Sequence, residues 1–155
     1  MVKIARILFP VDFSLNNRRV VPYVRQMLRV HGANLCLLHV VADLGQYLGL
    51  DEPHPDLGRW EDEALRQARR QLEAFRGEHF VDWPQATAQV LVGDPATVIV
   101  EQALRQGADL IVMGTHGRRG LEHAIFGSVA ERVLKNSPAP VLTVNPLRLP
   151  PEDQA

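Results

Sequence analysis

Apolar residues along the chain fall into two alternating patterns. Five runs rich in branched apolar side chains stand at Lys3–Phe13, Asn34–Ala42, Thr87–Gly93, Asp109–Gly114 and Pro140–Asn145. The middle runs are almost continuously apolar, which predicts strands of a parallel sheet covered on both faces. The stretches between them carry helical spacing instead. In the first, Val20, Val21, Val24, Met27 and Leu28 share one stripe, with Ser14 placed to cap the helix and Gly32 to end it. Pro22 lies inside that stripe and predicts either a bend or a start later than Ser14. A second helix is expected from about Leu57 to Phe80, with Trp60, Ala64, Leu65, Ala68, Leu72 and Phe75 on its apolar side. The third has the clearest start: Asp94 as cap, Pro95 at the first helical position, and a stop at Gly107. The fourth follows Gly127 as SVAERVLKN and is ended by SPAP.

Five strands therefore alternate with four helices, which predicts an open, doubly wound α/β sheet with right-handed crossovers and strand order 3-2-1-4-5. One domain is expected over residues 1–147, followed by a short disordered tail at 148–155. The segment from Asp43 to Gly58, which contains EPHP, is long for a connection; it fits a lid over a site or a merely variable loop.

Composition narrows the partners. With 17 Lys and Arg against 18 Asp and Glu, the net charge of −1 gives no global attraction to nucleic acid or an anionic membrane. The N-terminal apolar run meets Pro10 and Asp12 too soon for a signal-peptide core or a membrane span. The single cysteine, Cys36, has no internal disulfide partner and reads as a small buried hydrophobe within LCLLHVV. A cytoplasmic protein without nucleic-acid or membrane contacts is expected.

Doubly wound sheets bind ligands beyond the carboxyl ends of their strands, where the chain order reverses. Here that crevice falls between Pro10-Val11-Asp12 and Met113-Gly114. The unusual residues of the chain are at the same place: four glycines stand between Met113 and Leu134. Gly114 and Gly117 permit a close backbone approach or a positive φ. Gly127-Ser128 opens a helix whose first amides lack intrahelical partners, and that end suits an anion such as phosphate. Neither the phosphate-loop motif nor Gly-x-Gly-x-x-Gly is present. Asp12 can accept bonds from hydroxyls or hold a divalent ion, and Val41 offers backbone groups and an apolar contact. Within the motif His116 can donate through its ring or its amide, whereas His39 reads as a satisfied core histidine. His116 and His123 lack helical two-ligand metal spacing. Arg118 and Arg119 read as solvated, and the glycine segment has no lysine, so binding fits better than phosphoryl transfer.

The spacing Gly114-x2-Gly117-x9-Gly127-Ser128, with ILFPVDFS, LLHVV, VLVGDPATVIV and SPAPVLTV around it, resembles the ATP-binding branch of the universal stress protein family. The resemblance runs from about Lys3 to Val144. It implies a Rossmann-like fold of the adenine nucleotide alpha-hydrolase-like type. It also implies ATP as ligand, with adenine and ribose against Pro10, Val11, Asp12, Val41 and Met113. The phosphates would lie on Gly114, His116, Gly117, Gly127, Ser128 and Val129, with Mg2+ reaching Asp12 only through the nucleotide. The family commonly dimerises through the last strand, here Val141–Val144, an edge with open backbone donors. The implied role is regulatory, in stress response, with an unidentified protein partner and little or no hydrolysis. A nucleotide-independent dimeric interaction module and a slow ATPase are the alternatives. One position departs from the pattern: where the family's binders often carry a second hydroxyl two residues after the serine, this chain has Ala130.

Overall fold

The computed structural model describes residues 1–52, 54–117 and 126–150, the Tyr47 side chain excepted. Its strands are β1 (Arg6–Pro10), β2 (Asn34–Val41), β3 (Ala86–Val92), β4 (Leu110–Gly114) and β5 (Val141–Val144). They pair in parallel in the order β3-β2-β1-β4-β5, as the sequence predicts. The helices are α1 (Leu15–Arg18), α2 (Val21–His31), α3 (Leu44–Leu48), α4 (Pro55–His79), α5 (Pro95–Gln106) and α6 (Ser128–Asn136). No helix among the described residues is long and apolar enough to cross a membrane.

The pleat sorts each strand between two layers. Ile7, Phe9, Leu35, Leu37, Leu110 and Val112 bury themselves on one face, against Val21, Val24 and Leu28 of α2 and Leu72 and Phe75 of α4. Leu8, Leu38, Ile111 and Met113 turn to the other, against Ala96, Ile99 and Ala103 of α5 and Ala130 and Val133 of α6. Full burial of each large side chain contributes about 1.5–3 kcal/mol before entropy is subtracted.

Pro22 resolves the first helix into two. Ser14 caps only the four-residue α1, accepting from the Asn17 amide, and α2 starts afresh with Pro22 in its first turn, where a missing N–H costs nothing. Trp60 departs from the expected apolar stripe: it is 57% exposed, because α4 reaches the sheet only from its middle onward, at Ala68, Leu72 and Phe75. The Asp43–Gly58 segment contains α3, capped by Asp43 at its start and by Gly49 in the left-handed region at its end. Beyond β5 the chain to Pro150 is held against the domain. The Arg19 guanidinium donates to the carbonyls of Pro146, Leu149 and Pro150, and Leu149 packs on the core.

Candidate functional site

The carboxyl ends of β1 and β4 lie side by side at the centre of the sheet, so the Pro10–Asp12 turn and the Gly114–Gly117 turn face each other. After Pro10 the chain leaves the sheet in a strongly determined way. The Val11 amide still donates to Leu38 O (2.8 Å). Phe13 then adopts φ 64°, a left-handed conformation that a bulky residue holds only under constraint. The constraint is visible. Asp12 Oδ1 accepts from the Ser14 amide (2.9 Å) and hydroxyl (2.6 Å), and the Phe13 ring stacks on His39 at 4.4 Å. His39 Nδ1–H donates to the Val11 carbonyl at 2.6 Å, so this histidine braces the turn, in keeping with its reading as a satisfied residue.

Asn17, buried at 5% exposure, stitches the turn from below. Its Oδ1 accepts from the Asp12 amide (3.2 Å) and its Nδ2 donates to Pro10 O (3.3 Å). Asn16 reaches across the crevice, its Nδ2 donating to Gly117 O at 3.3 Å. Sequence reasoning missed both. The adjacent asparagines just after a capping serine were the available signal, since short amides at such positions bond local backbone.

The motif glycines serve close approach, and none of Gly114, Gly117 or Gly127 has a positive φ. A Cβ on Gly117 would collide with Asp12 Oδ2, and one on Gly127 would sit 2.9 Å from the Thr115 carbonyl oxygen. The same Thr115 oxygen accepts the Gly127 amide at 2.6 Å, which draws the start of α6 onto the end of β4. Thr115 in turn donates its amide to Val144 O (2.9 Å) and pairs its hydroxyl with His116 Nδ1 (2.8 Å). Both residues are buried, at 5% and 3% exposure, so the His116 ring is part of the frame.

At the start of α6, as at α2, no side chain caps the helix, whereas Ser14, Asp43, His54 and Asp94 cap α1, α3, α4 and α5. The first intrahelical bond runs from the Glu131 amide to Gly127 O (3.0 Å), which leaves the amides of Ser128, Val129 and Ala130 ahead of it. Ser128 is exposed. Ala130 is not: its methyl lies in the apolar layer with Leu8, Ile111 and Met113, at 2% exposure. Val11 and Met113 are buried walls, and Pro10 and Val41 are half-buried. The structure thus brings Pro10, Val11, Asp12, Met113, Gly114, His116, Gly117, Gly127, Ser128 and Val129 to the ends of β1 and β4, with Val41 one strand away at the end of β2. Arg118, Arg119 and His123 lie outside the described residues.

The arrangement offers an acceptor at Asp12 Oδ2, helix-end amides as donors, and buried apolar walls. The glycines keep all three within reach of one another. The sequence profile of the universal stress protein family matches residues 3–145. Universal stress protein MJ0531 of Methanocaldococcus jannaschii is 35% identical over 150 residues, covering 90% of this chain and 81% of that protein. A universal stress protein of Thermus aquaticus is 33% identical over 140 residues, covering 89% of this chain and 96% of its own. Among solved structures, MJ0577 of M. jannaschii superposes with a TM-score of 0.81 at 28% identity, covering 93% of this chain and 97% of that one.

Proposed function

Because the chain belongs to the universal stress protein family, we propose that it is an ATP-binding regulatory protein that holds its nucleotide at the β1–β4 crevice. The observation that carries this reading is the pairing of an uncapped α6 start with two glycines that have no room for a Cβ. A phosphate chain satisfies amides that no side chain caps, and the positive helix end favours its charge. In this reading the phosphates rest on the backbone of Gly114, His116, Gly117, Gly127 and Val129 and on the Ser128 hydroxyl. Since the His116 ring is buried beside Thr115, His116 acts through its amide. Adenine and ribose lie against Pro10, Val11, Met113 and Val41, with Asp12 Oδ2 accepting from ribose hydroxyls or meeting a nucleotide-bound Mg2+. Several charge-assisted bonds of about 1.5–3 kcal/mol each, with a buried base, reach micromolar affinity, about −8 kcal/mol.

Hydrolysis is not part of the proposal, because no lysine stands in the glycine segment to meet the leaving charge. The four-residue β5 edge, Val141–Val144, is the proposed pairing surface of a homodimer. Calorimetric titration of the purified protein with ATP, alongside Gly127→Val, tests the central reading. Saturable binding by the parent chain and none by the variant is expected; no saturation at millimolar ATP overturns it.

A further inference from the structure

At the other end of the strands the layer formed by α5 and α6 is incomplete. Register places Arg6 of β1 beside Asn34 of β2, and Leu8, Cys36 and Thr87 in a row across β1, β2 and β3. All five alternate onto the face that carries α5. The last turn of α5 stops above this corner and contributes Arg105 and Gln106, leaving a groove of about 640 Å³. That lies within the range of about 300–1,000 Å³ found for small-molecule sites. It opens at the amino ends of the strands, opposite Asp12 and Gly127, and so is separate from the nucleotide crevice.

The charged side chains that line the groove are of one sign, with the Asp109 carboxylate behind it on the amides of Ala5 and Arg6. The two charged lining residues are both arginines, Arg6 and Arg105. The Arg6 guanidinium donates to Gln106 O at 3.2 Å, the Arg6 amide donates to Asp109 Oδ2 at 3.0 Å, and neither guanidinium has a carboxylate partner among the described residues. Burial pushes the Cys36 thiol up, so it adds no negative charge at neutral pH. The floor is apolar at Ala108 and the half-buried Cys36, with the fully buried Leu8 beneath, and Asn34, Gln85 and Thr87 supply hydrogen-bonding groups around it. We propose that this groove is a second ligand site, which takes a small amphipathic organic anion with its acidic head on Arg6 and Arg105 and its apolar body on Cys36 and Ala108. The chemistry follows from the lining: two unmatched cations select an anion, and an apolar floor rewards a carbon body over a bare inorganic ion.

Titration with anilinonaphthalene sulfonate, followed by amide chemical shifts in NMR, tests the site. Shifts are expected at Leu8, Cys36, Thr87 and Ala108. The affinity should be unchanged with ATP present at millimolar concentration and about tenfold weaker in Arg105→Gln, the loss of one charge-assisted bond. Arg105→Lys, which keeps the charge on an exposed helix end, should hold the affinity to within about threefold. Shifts confined to the surroundings of Asp12 and Gly127, no shifts at millimolar probe, or full affinity in Arg105→Gln would overturn the proposal. Because the readout is confined to the amino ends of the strands, failure of ATP binding leaves this test standing.

Discussion

The Asp12 carboxylate occupies the space into which a side chain at Gly117 would grow. The two turns of the crevice are therefore fitted to each other, and the glycine is required by a protein neighbour as much as by any ligand. In Gly117→Ala the overpacked methyl should cost about 1–3 kcal/mol of stability and displace Asp12 Oδ2. In an Asp12→Ala background the same substitution should be nearly neutral, giving a coupling of about 1 kcal/mol or more in a double-mutant cycle. Urea unfolding of the four proteins measures it; strict additivity would show that the two residues do not meet.

Asn17 is expected to matter for binding although it is buried beneath the turn that carries Asp12. Removing its amide in Asn17→Ala strands the Asp12 amide and the Pro10 carbonyl, at about 1–3 kcal/mol in a buried setting. The turn that positions Asp12 then loosens, so ATP affinity should fall along with stability. Comparison at a temperature where both proteins are fully folded separates the effects. A variant that is less stable but binds ATP as well as its parent would restrict Asn17 to a structural role.

Two surface carboxylates contribute to the acid sensitivity. Arg25 donates to both oxygens of Asp82 (2.8 and 2.6 Å) and holds its carboxyl at about 2. Arg132 does the same for Asp94 (2.9 and 2.7 Å), which also caps α5 through Thr97, and its carboxyl lies well below the usual range. Both folded values are below the unfolded value of about 3.9, so these pairs contribute fully above about pH 4 and lose their contribution as pH falls toward 2. The Asp82→Asn/Asp94→Asn double variant should show a shallower decline of the urea midpoint over that window. Equal slopes would count against the linkage.

His79 acts in a different window. Burial lowers its pKa, Arg18 and Arg25 push the same way, and neighbouring Glu78 opposes them. Its ring lies 4.5 Å from Phe75, and Nε2 has no hydrogen-bond partner among the described residues. The unfolded chain, with an imidazole near 6.5, therefore takes the proton first as pH falls. Stability should be full above about pH 7 and decline below about 6.5, until the folded imidazole also protonates. His79→Gln should flatten this decline between about pH 7 and 5 in thermal melts; an unaltered profile would place its origin elsewhere.

The strand order and the third and fourth helices were legible because their signals are local and agree: Asp94-Pro95 at a start, Gly107 at a stop, branched apolar runs between. The crevice was legible as a place, since topology and glycine spacing point to the same strand ends. What the glycines contact was not. Gly117 against Asp12 and Gly127 against Thr115 are tertiary contacts, and spacing alone allowed a positive φ equally well. Trp60 failed for the same kind of reason: periodicity gives the face of a helix, but how far the sheet extends beneath it depends on the packing of α4 as a whole.

Ala130 tests how far a family pattern transfers to this chain. From sequence, the missing second hydroxyl counts as a lost phosphate donor. In the fold, the Ala130 methyl is buried against Leu8, Ile111 and Met113, so a hydroxyl added to it enters an apolar layer. What position 130 can offer a phosphate is its amide, which alanine already supplies. Ala130→Ser should therefore raise ATP affinity by less than about threefold, under 1 kcal/mol, and cost about 1 kcal/mol or more of stability through the buried hydroxyl. Calorimetry and urea unfolding on the same preparation decide the matter. A tenfold gain in affinity without loss of stability would mean that the serine turns its hydroxyl out of the core toward the nucleotide.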